Sequence, residues 1–168
     1  MMILITGGSG SGKSAFAETL AQEYHKTGVL YYMAAMKCDT KEGRQRVLRH
    51  KRQRAGKGFI TVEQPYDVWM LQAGHDSTIL LECLSNLLAN EWFDRHRSAR
   101  QILQEIRFLE ESCENLLIVT NEIFSDGIGY DEMTKDYIRQ LGWLNHELAG
   151  IADTVYEVVY GIPVRIKG

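Results

Sequence analysis

Eight residues, Gly7-Gly8-Ser9-Gly10-Ser11-Gly12-Lys13-Ser14, constrain this chain more than any other stretch. They fit the pattern G-x-x-x-x-G-K-[ST]. An apolar run, Met2 to Thr6, precedes them, and an amphipathic stretch from Ser14 to His25 follows. Strand, glycine loop and helix in that order is the context in which the pattern cradles phosphate. Glycines let the backbone turn tightly, so that successive N–H groups point at phosphate oxygens. The helix adds its partial positive N-terminus. Lys13 is placed to reach the β- and γ-phosphates, and Ser14 to hold Mg²⁺. Gly8, Ser9, Gly10, Ser11, Gly12, Lys13 and Ser14 are therefore the expected contacts to a nucleoside triphosphate, with Lys13 also the expected catalytic cation.

The remaining pattern predicts a doubly covered parallel sheet. GVLYYMAAM (28–36) reads as a second strand and FITVEQP (59–65) as a third, stopped by Pro65. STILLECL (77–84) and NLLIVTNEI (115–123) are continuous apolar runs, as strands buried on both faces require. Helices are expected over 42–54, over 86–111 in one or two pieces, and over 131–151. The last stretch, 153–168, reads as two short strands joined at Gly161-Ile162-Pro163. Strands alternating with helices imply an α/β fold with a mainly parallel sheet and a C-terminal antiparallel hairpin. At 168 residues the chain suits one nucleotide-binding domain over 1–168.

Three cysteines, Cys38, Cys83 and Cys113, match no zinc or redox spacing. Reduced thiols in a cytoplasmic protein are the expectation. The apolar start breaks at once into glycines, so no secretory leader is expected. No apolar run approaches the roughly 20 residues needed to span a bilayer. The tryptophans at 69, 92 and 143 read as packing or subunit contacts, and His25, His75 and His96 as surface residues without metal-ligand spacing.

A phosphate loop does not name a reaction. Its Mg²⁺ needs an acid at the end of a neighbouring buried strand. Two candidates stand there: Glu82, ending the 77–84 run, and Glu122, ending the 115–123 run.

Charge is distributed unevenly. The net charge is -3, which argues against nucleic acid as a partner, yet eight of the nineteen lysines and arginines fall between Lys41 and Lys57. Within that segment Arg46, His50 and Arg54 are four residues apart and share a helix face. Cationic neighbours disfavour a charged imidazole, and a neutral one is a nucleophile. The arginines can grip phosphate oxygens and steady a departing pyrophosphate. The same composition also fits a solvated basic face, or a grip on RNA. Against the latter stands the lack of interleaved aromatics.

The chain resembles the bifunctional adenosylcobinamide kinase / adenosylcobinamide-phosphate guanylyltransferase family nearly end to end. The opening MMILITGGSGSGKS is similar to that family's phosphate loop. Glu42, Arg46, His50 and Arg54 fall at the spacing of its E-x-x-x-R-I-x-x-H-x-x-x-R element. TVEQP (61–65), LECLSNLLANEW (81–92), VTNEIFSDGI (119–128) and GWLNHELAGIADTVYEVVYGIP (142–163) resemble its later motifs in order. The resemblance implies a RecA-like phosphate-loop fold and a homotrimer. It implies His50 as the residue that takes GMP from GTP. It implies Ala34, Ala35, Met36, Lys51, Arg52, Gln53, Arg54, Glu63 and Glu82 as further nucleotide contacts. The substrates implied are ATP or GTP with Mg²⁺ and the corrinoid adenosylcobinamide, which is phosphorylated on its aminopropanol hydroxyl and then joined to GMP. The chain departs from the family at Gly10, where an arginine is usual, at 129–132, and at His146. Those departures keep open a nucleotide-binding regulatory module or another small-molecule kinase without guanylyl transfer.

Overall fold

The computed structural model describes residues 1–37, 56–124, 127 and 129–168. The expected helix over 42–54, with His50 and its basic neighbours, and Cys38 lie outside the described residues.

Seven strands form one sheet in the order β3-β2-β4-β5-β1-β6-β7. They are β1 (Met2–Thr6), β2 (Leu30–Ala34), β3 (Ile60–Glu63), β4 (Thr78–Glu82), β5 (Asn115–Val119), β6 (Thr154–Val159) and β7 (Ile162–Lys167). The first six run parallel, and only β7 runs antiparallel, against β6. The expected C-terminal antiparallel hairpin is present, and its first strand extends the parallel set beside β1. Its turn is Tyr160-Gly161 rather than 161–163. Both residues have positive φ, 50° and 81°, the conformation that matches a two-residue hairpin turn to strand twist.

Among the described residues four α-helices cover the faces: α1 (Lys13–Tyr24), α2 (Leu84–Arg95), α3 (Ala99–Glu111) and α4 (Glu132–Ile151). The predicted stretch over 86–111 is thus two helices, separated where His96 takes φ 55°. On one face α1 buries Ala17, Leu20 and Ala21 against Ile3, Ile5, Leu80, Leu117 and Val119. On the other, Leu87 and Leu88 of α2, Ile102 and Ile106 of α3 and Leu141, Leu144 and Leu148 of α4 pack on Met33, Ile79, Leu81, Leu116 and Ile118. Successive strand residues point to opposite faces, which is why β4 and β5 must be apolar at every step. Cys83 and Cys113 are buried free thiols. None of the described helices is long and apolar enough to cross a membrane.

A buried ionic cluster ties the connections together. The Arg97 guanidinium, between α2 and α3, lies 3.0 Å from Asp67, 2.5 Å from Glu105 and 3.7 Å from Glu91. Asp67 also pairs with Arg95, whose guanidinium holds its carboxyl below the usual range. Three carboxylates around so few cations leave one poorly served. Burial pushes Glu105 up to about 7, with Arg97 opposing.

The consequence for stability follows from linkage. The native state keeps the Glu105 proton to higher pH than the unfolded chain does, so this group's contribution is fully present below about 4.5 and is lost as pH rises to about 7. Urea midpoints measured across that interval are expected to fall with rising pH in the parent and to fall less in Glu105→Gln. An identical slope in the two proteins would show that the carboxyl titrates as it does when unfolded.

Candidate active site

Parallel strands bring their C-terminal ends to one edge, and ligands of such sheets bind there. Register decides which residues meet. Glu63 of β3 lies beside Ala34 of β2, Ala34 beside Glu82 of β4, and Glu82 beside Val119 of β5. With neighbouring strands about 4.8 Å apart, the two acids sit roughly two strand spacings from each other. Ala35 continues the row through its N–H, which donates to the Glu82 carbonyl at 2.9 Å, and Met36 follows it.

The phosphate loop closes this row. Gly10 and Gly12 both have left-handed φ, 72° and 91°, which side chains rarely tolerate. Gly12 carries a second constraint, since a Cβ there would lie 3.2 Å from Gly161 Cα in the hairpin turn. That turn is docked on the loop: the Gly161 N–H donates to the Ser11 carbonyl at 2.7 Å. The loop leads into α1 with Lys13 as its first residue.

Lys13 is buried, and its ammonium donates to the Gly8 carbonyl at 3.0 Å. Burial lowers its pKa, opposed by the charges of Cys83 and Glu82. Ser14 Oγ donates to Glu82 Oε1, and the Tyr32 hydroxyl donates to Glu82 Oε2 at 2.6 Å. The two predicted Mg²⁺ ligands are therefore already in contact. A hydroxyl and a carboxylate are the hard oxygen donors that Mg²⁺ takes alongside phosphate oxygens and water, so this pair fits the ion.

Glu122 has a different task. Its N–H donates to the Gly7 carbonyl at 3.1 Å and its Oε1 accepts the Phe124 N–H at 2.8 Å. Of the two candidate acids, Glu82 is the one bound to Ser14.

Beside the loop lies a cavity of about 510 Å³, lined by Gly10 to Ala15 together with Glu18 and Lys57. That volume lies within the usual range for small-molecule sites. Neither Glu18 nor Lys57 was expected from sequence. Glu18 follows Ser14 by one helical turn, a spacing that could have signalled a shared face. Lys57 carried no local signal; the structure places its ammonium 2.5 Å from Glu18 and its carbonyl on the Gln22 amide. Tyr32, Ser85, Asn90 and Asn121 were also missed. Asn90 of α2 donates to the carbonyls of Ala35 and Pro65, which fastens α2 across the strand ends. Asn121 donates to Ser85 Oγ at 2.6 Å.

Gly8, Ser9, Gly10, Ser11, Gly12, Lys13, Ser14, Ala34, Ala35, Met36, Glu63 and Glu82 are thus gathered along one edge. His50, Lys51, Arg52, Gln53 and Arg54 fall outside the described residues.

Lys13→Ala is expected to weaken triphosphate binding and to slow phosphoryl transfer by about a hundredfold or more. Glu82→Gln is expected to raise the Mg²⁺ concentration giving half-maximal rate by about tenfold or more. Rates measured across a Mg²⁺ titration check both, and an unchanged titration in Glu82→Gln would remove the acid from the metal site.

Comparison with known proteins places these residues in a lineage. Residues 3–166 match the family model described as "Cobinamide kinase / cobinamide phosphate guanyltransferase". The chain is 32% identical to the Salmonella typhimurium "Bifunctional adenosylcobalamin biosynthesis protein CobU", with 99% of this chain and 100% of that protein aligned. It is 30% identical to the Escherichia coli protein of the same name, with the same coverage. It is 31% identical to Pseudomonas aeruginosa CobP, over 100% of this chain and 98% of that one. Among solved structures, the flagellar accessory protein FlaH from Methanocaldococcus jannaschii superposes with a TM-score of 0.51 at 13% identity. The match covers 99% of this chain and 77% of that one, and it speaks to fold alone.

Proposed function

The chain belongs to the cobinamide kinase / cobinamide phosphate guanyltransferase family, and from that membership and the site geometry we propose a two-step transfer run from one phosphate cradle. The coarse activity follows from the family: a bifunctional enzyme of cobalamin biosynthesis. The observation that carries the finer reading is the Lys13–Ser14–Glu82 arrangement at the sheet edge, with Glu63 two strands away.

In the first step adenosylcobinamide offers its aminopropanol hydroxyl. The hydroxyl oxygen attacks the γ-phosphorus of ATP or GTP, the bond to the β–γ bridging oxygen breaks, the nucleoside diphosphate leaves, and the hydroxyl proton passes to solvent. Mg²⁺, when bound, neutralises charge on the phosphates. Lys13 and the N–H groups of the loop hold the β- and γ-oxygens as charge shifts onto the leaving group. Glu82 keeps the Ser14 hydroxyl turned toward the metal position, and Tyr32 holds Glu82.

In the second step the free imidazole nitrogen of His50 attacks the α-phosphorus of GTP. The α–β phosphoanhydride bond breaks and pyrophosphate leaves, giving a histidine–GMP phosphoramidate. An oxygen of adenosylcobinamide phosphate then attacks that phosphorus. The P–N bond breaks, the imidazole is released, and adenosylcobinamide-GDP forms. Ala34, Ala35, Met36, Glu63 and Glu82 border the nucleotide from the strand ends. Lys51, Arg52, Gln53 and Arg54 supply cations and amides around it. Chemistry fuelled by nucleoside triphosphates fits a cytoplasmic protein, built as one domain over 1–168.

Incubation with α-labelled GTP and Mg²⁺ tests this reading. The parent is expected to acquire an acid-labile covalent label. His50→Ala should acquire none while still phosphorylating adenosylcobinamide, because only guanylyl transfer needs a covalent carrier. Equal loss of both steps would show that His50 has another role.

We also propose a homotrimer. Its support is β7, which is exposed along its whole length, Ile162, Val164 and Ile166 included. Those three side chains alternate along the strand and share one face, and a second copy of the chain is the partner that would cover them. Light scattering after size exclusion should give three chains for the parent and fewer for Val164→Lys. A monomeric parent would overturn the assembly.

A further inference from the structure

The cavity beside the phosphate loop has two sides of different charge. One is the loop itself, with its backbone N–H groups, the start of α1 and Lys13. The other is the ion pair of Glu18 and Lys57. Glu18 stands four residues past Ser14 on α1, about 6 Å farther along the helix axis. Phosphates are drawn to the helix start and its lysine. The ion pair is neutral as a whole and offers them nothing that the loop does not offer better. A nucleotide with its phosphates on the loop therefore turns its nucleoside toward Glu18 and Lys57.

The pair is buried at the cavity wall and held there. Glu18 is only 5% exposed, and a carboxylate withdrawn from water is costly unless its oxygens find partners. Lys57 serves one of them, its ammonium donating to Oε2 at 2.5 Å. Among the described residues Oε1 accepts no hydrogen bond. The Lys57 carbonyl accepts the Gln22 side-chain amide at 3.0 Å, which ties its backbone to α1. Two residues on, Phe59 packs on the core beneath α1 and meets the Tyr32 ring edge-on, with centroids 6.0 Å apart. Tyr32 is the residue that holds Glu82. The ion pair and the metal carboxylate thus share one rigid frame.

A fixed carboxylate beside a fixed ammonium presents two acceptors and a donor in a row. Guanine carries the complement along one edge: its N2 amine and N1–H donate, and its O6 accepts. Adenine carries there an amine and a bare N1 lone pair, which a carboxylate repels. From this match we infer that Glu18 and Lys57 read the base of the nucleotide and select guanine, Glu18 accepting from N1–H and the N2 amine while Lys57 donates to O6. The inference rests on the proposed function and deepens it, by setting GTP above ATP in this cavity. Valence allows the arrangement. A carboxylate has about four lone-pair sites and an ammonium three donors, so the ion pair persists while both partners bind the base. Ribose hydroxyls are the competing ligand for Glu18, but they give the ammonium no distinct task.

The test is equilibrium dialysis with Mg²⁺ and four diphosphates, GDP, IDP, ADP and 2′-deoxy-GDP, none of which carries the γ-phosphate or the pyrophosphate that the two transfers need. The parent is expected to bind GDP about tenfold or more tighter than ADP. IDP, which lacks the N2 amine, should fall between them, and 2′-deoxy-GDP should bind as GDP does. Glu18→Gln should cut the GDP-to-ADP preference by about tenfold or more, partly by tightening ADP, because an amide can pair with both N1 and the N6 amine of adenine. Lys57→Met should weaken GDP more than ADP. Each preference is a ratio read within one preparation, so a partly unfolded variant does not imitate the result. An unchanged ratio in Glu18→Gln would overturn the inference. Equal loss of GDP and ADP in both variants would overturn it too, by assigning the pair to the phosphates or to folding, and a parent that discriminates against 2′-deoxy-GDP but not against ADP would assign it to the ribose. A parent that phosphorylates adenosylcobinamide and takes the covalent label normally, yet binds GDP and ADP alike, would sink base reading and leave the proposed function standing. A parent that binds no nucleotide and phosphorylates nothing would sink both.

Discussion

An ammonium buried at the positive end of a helix is the constraint around which this protein is arranged. Lys13 is the first residue of α1 and is almost withdrawn from water. The helix terminus that surrounds it carries partial positive charge of its own. Neither feature stabilises the other. What makes the arrangement tolerable is one carbonyl from Gly8 and the negative charge of Glu82 nearby. A triphosphate supplies the anion that both features lack. The resting site is therefore electrostatically unsatisfied in the direction of its ligand, which is how preorganised sites favour developing negative charge.

Holding that arrangement takes contacts from both ends of the sheet. From one side, Tyr32 on β2 fixes Glu82 on β4, and Glu82 fixes Ser14. From the other, the β6–β7 turn presses on the loop, with the Gly161 N–H on Ser11 and its Cα against Gly12. The second contact explains more about the loop's composition than phosphate binding does alone. A residue larger than glycine at 12 would collide with the hairpin as well as straining its φ. The Tyr160-Gly161 turn thus has a double function, closing the hairpin and bracing the cradle.

Much of this was legible in the sequence, and what was legible was local. Unbroken apolar runs at 77–84 and 115–123 announced strands covered on both faces, because no alternation appeared. The glycine loop announced itself because strand, loop and helix are contiguous in the chain. Glu82 was readable as a candidate because a charge closing a buried run lands at the sheet edge. The same argument applied to Glu122, and only three-dimensional contact separates them: one reaches Ser14, the other bonds its own turn. Tyr32, by contrast, read as an ordinary strand residue, since its partner is 50 positions away. The Glu18–Lys57 pair spans 39 positions, and the Arg97 cluster draws carboxylates from three separate segments. The hairpin was recognised but its turn was misplaced, because Pro163 suggested a corner. Proline is in fact acceptable on β7, which has an open edge.

The proposed two-step reaction implies a division of labour. Phosphoryl transfer breaks the nucleotide at its γ-phosphorus and guanylyl transfer breaks it at the α-phosphorus, so one fixed acceptor position cannot serve both direct attacks. A covalent carrier resolves the mismatch by bringing the α-phosphorus to the acceptor instead of moving the acceptor. The acceptor can then stay in one place throughout, with only its arm changing from hydroxyl to phosphate. In this scheme the phosphate loop and Glu82 serve the triphosphate in both reactions, while His50 serves only the second.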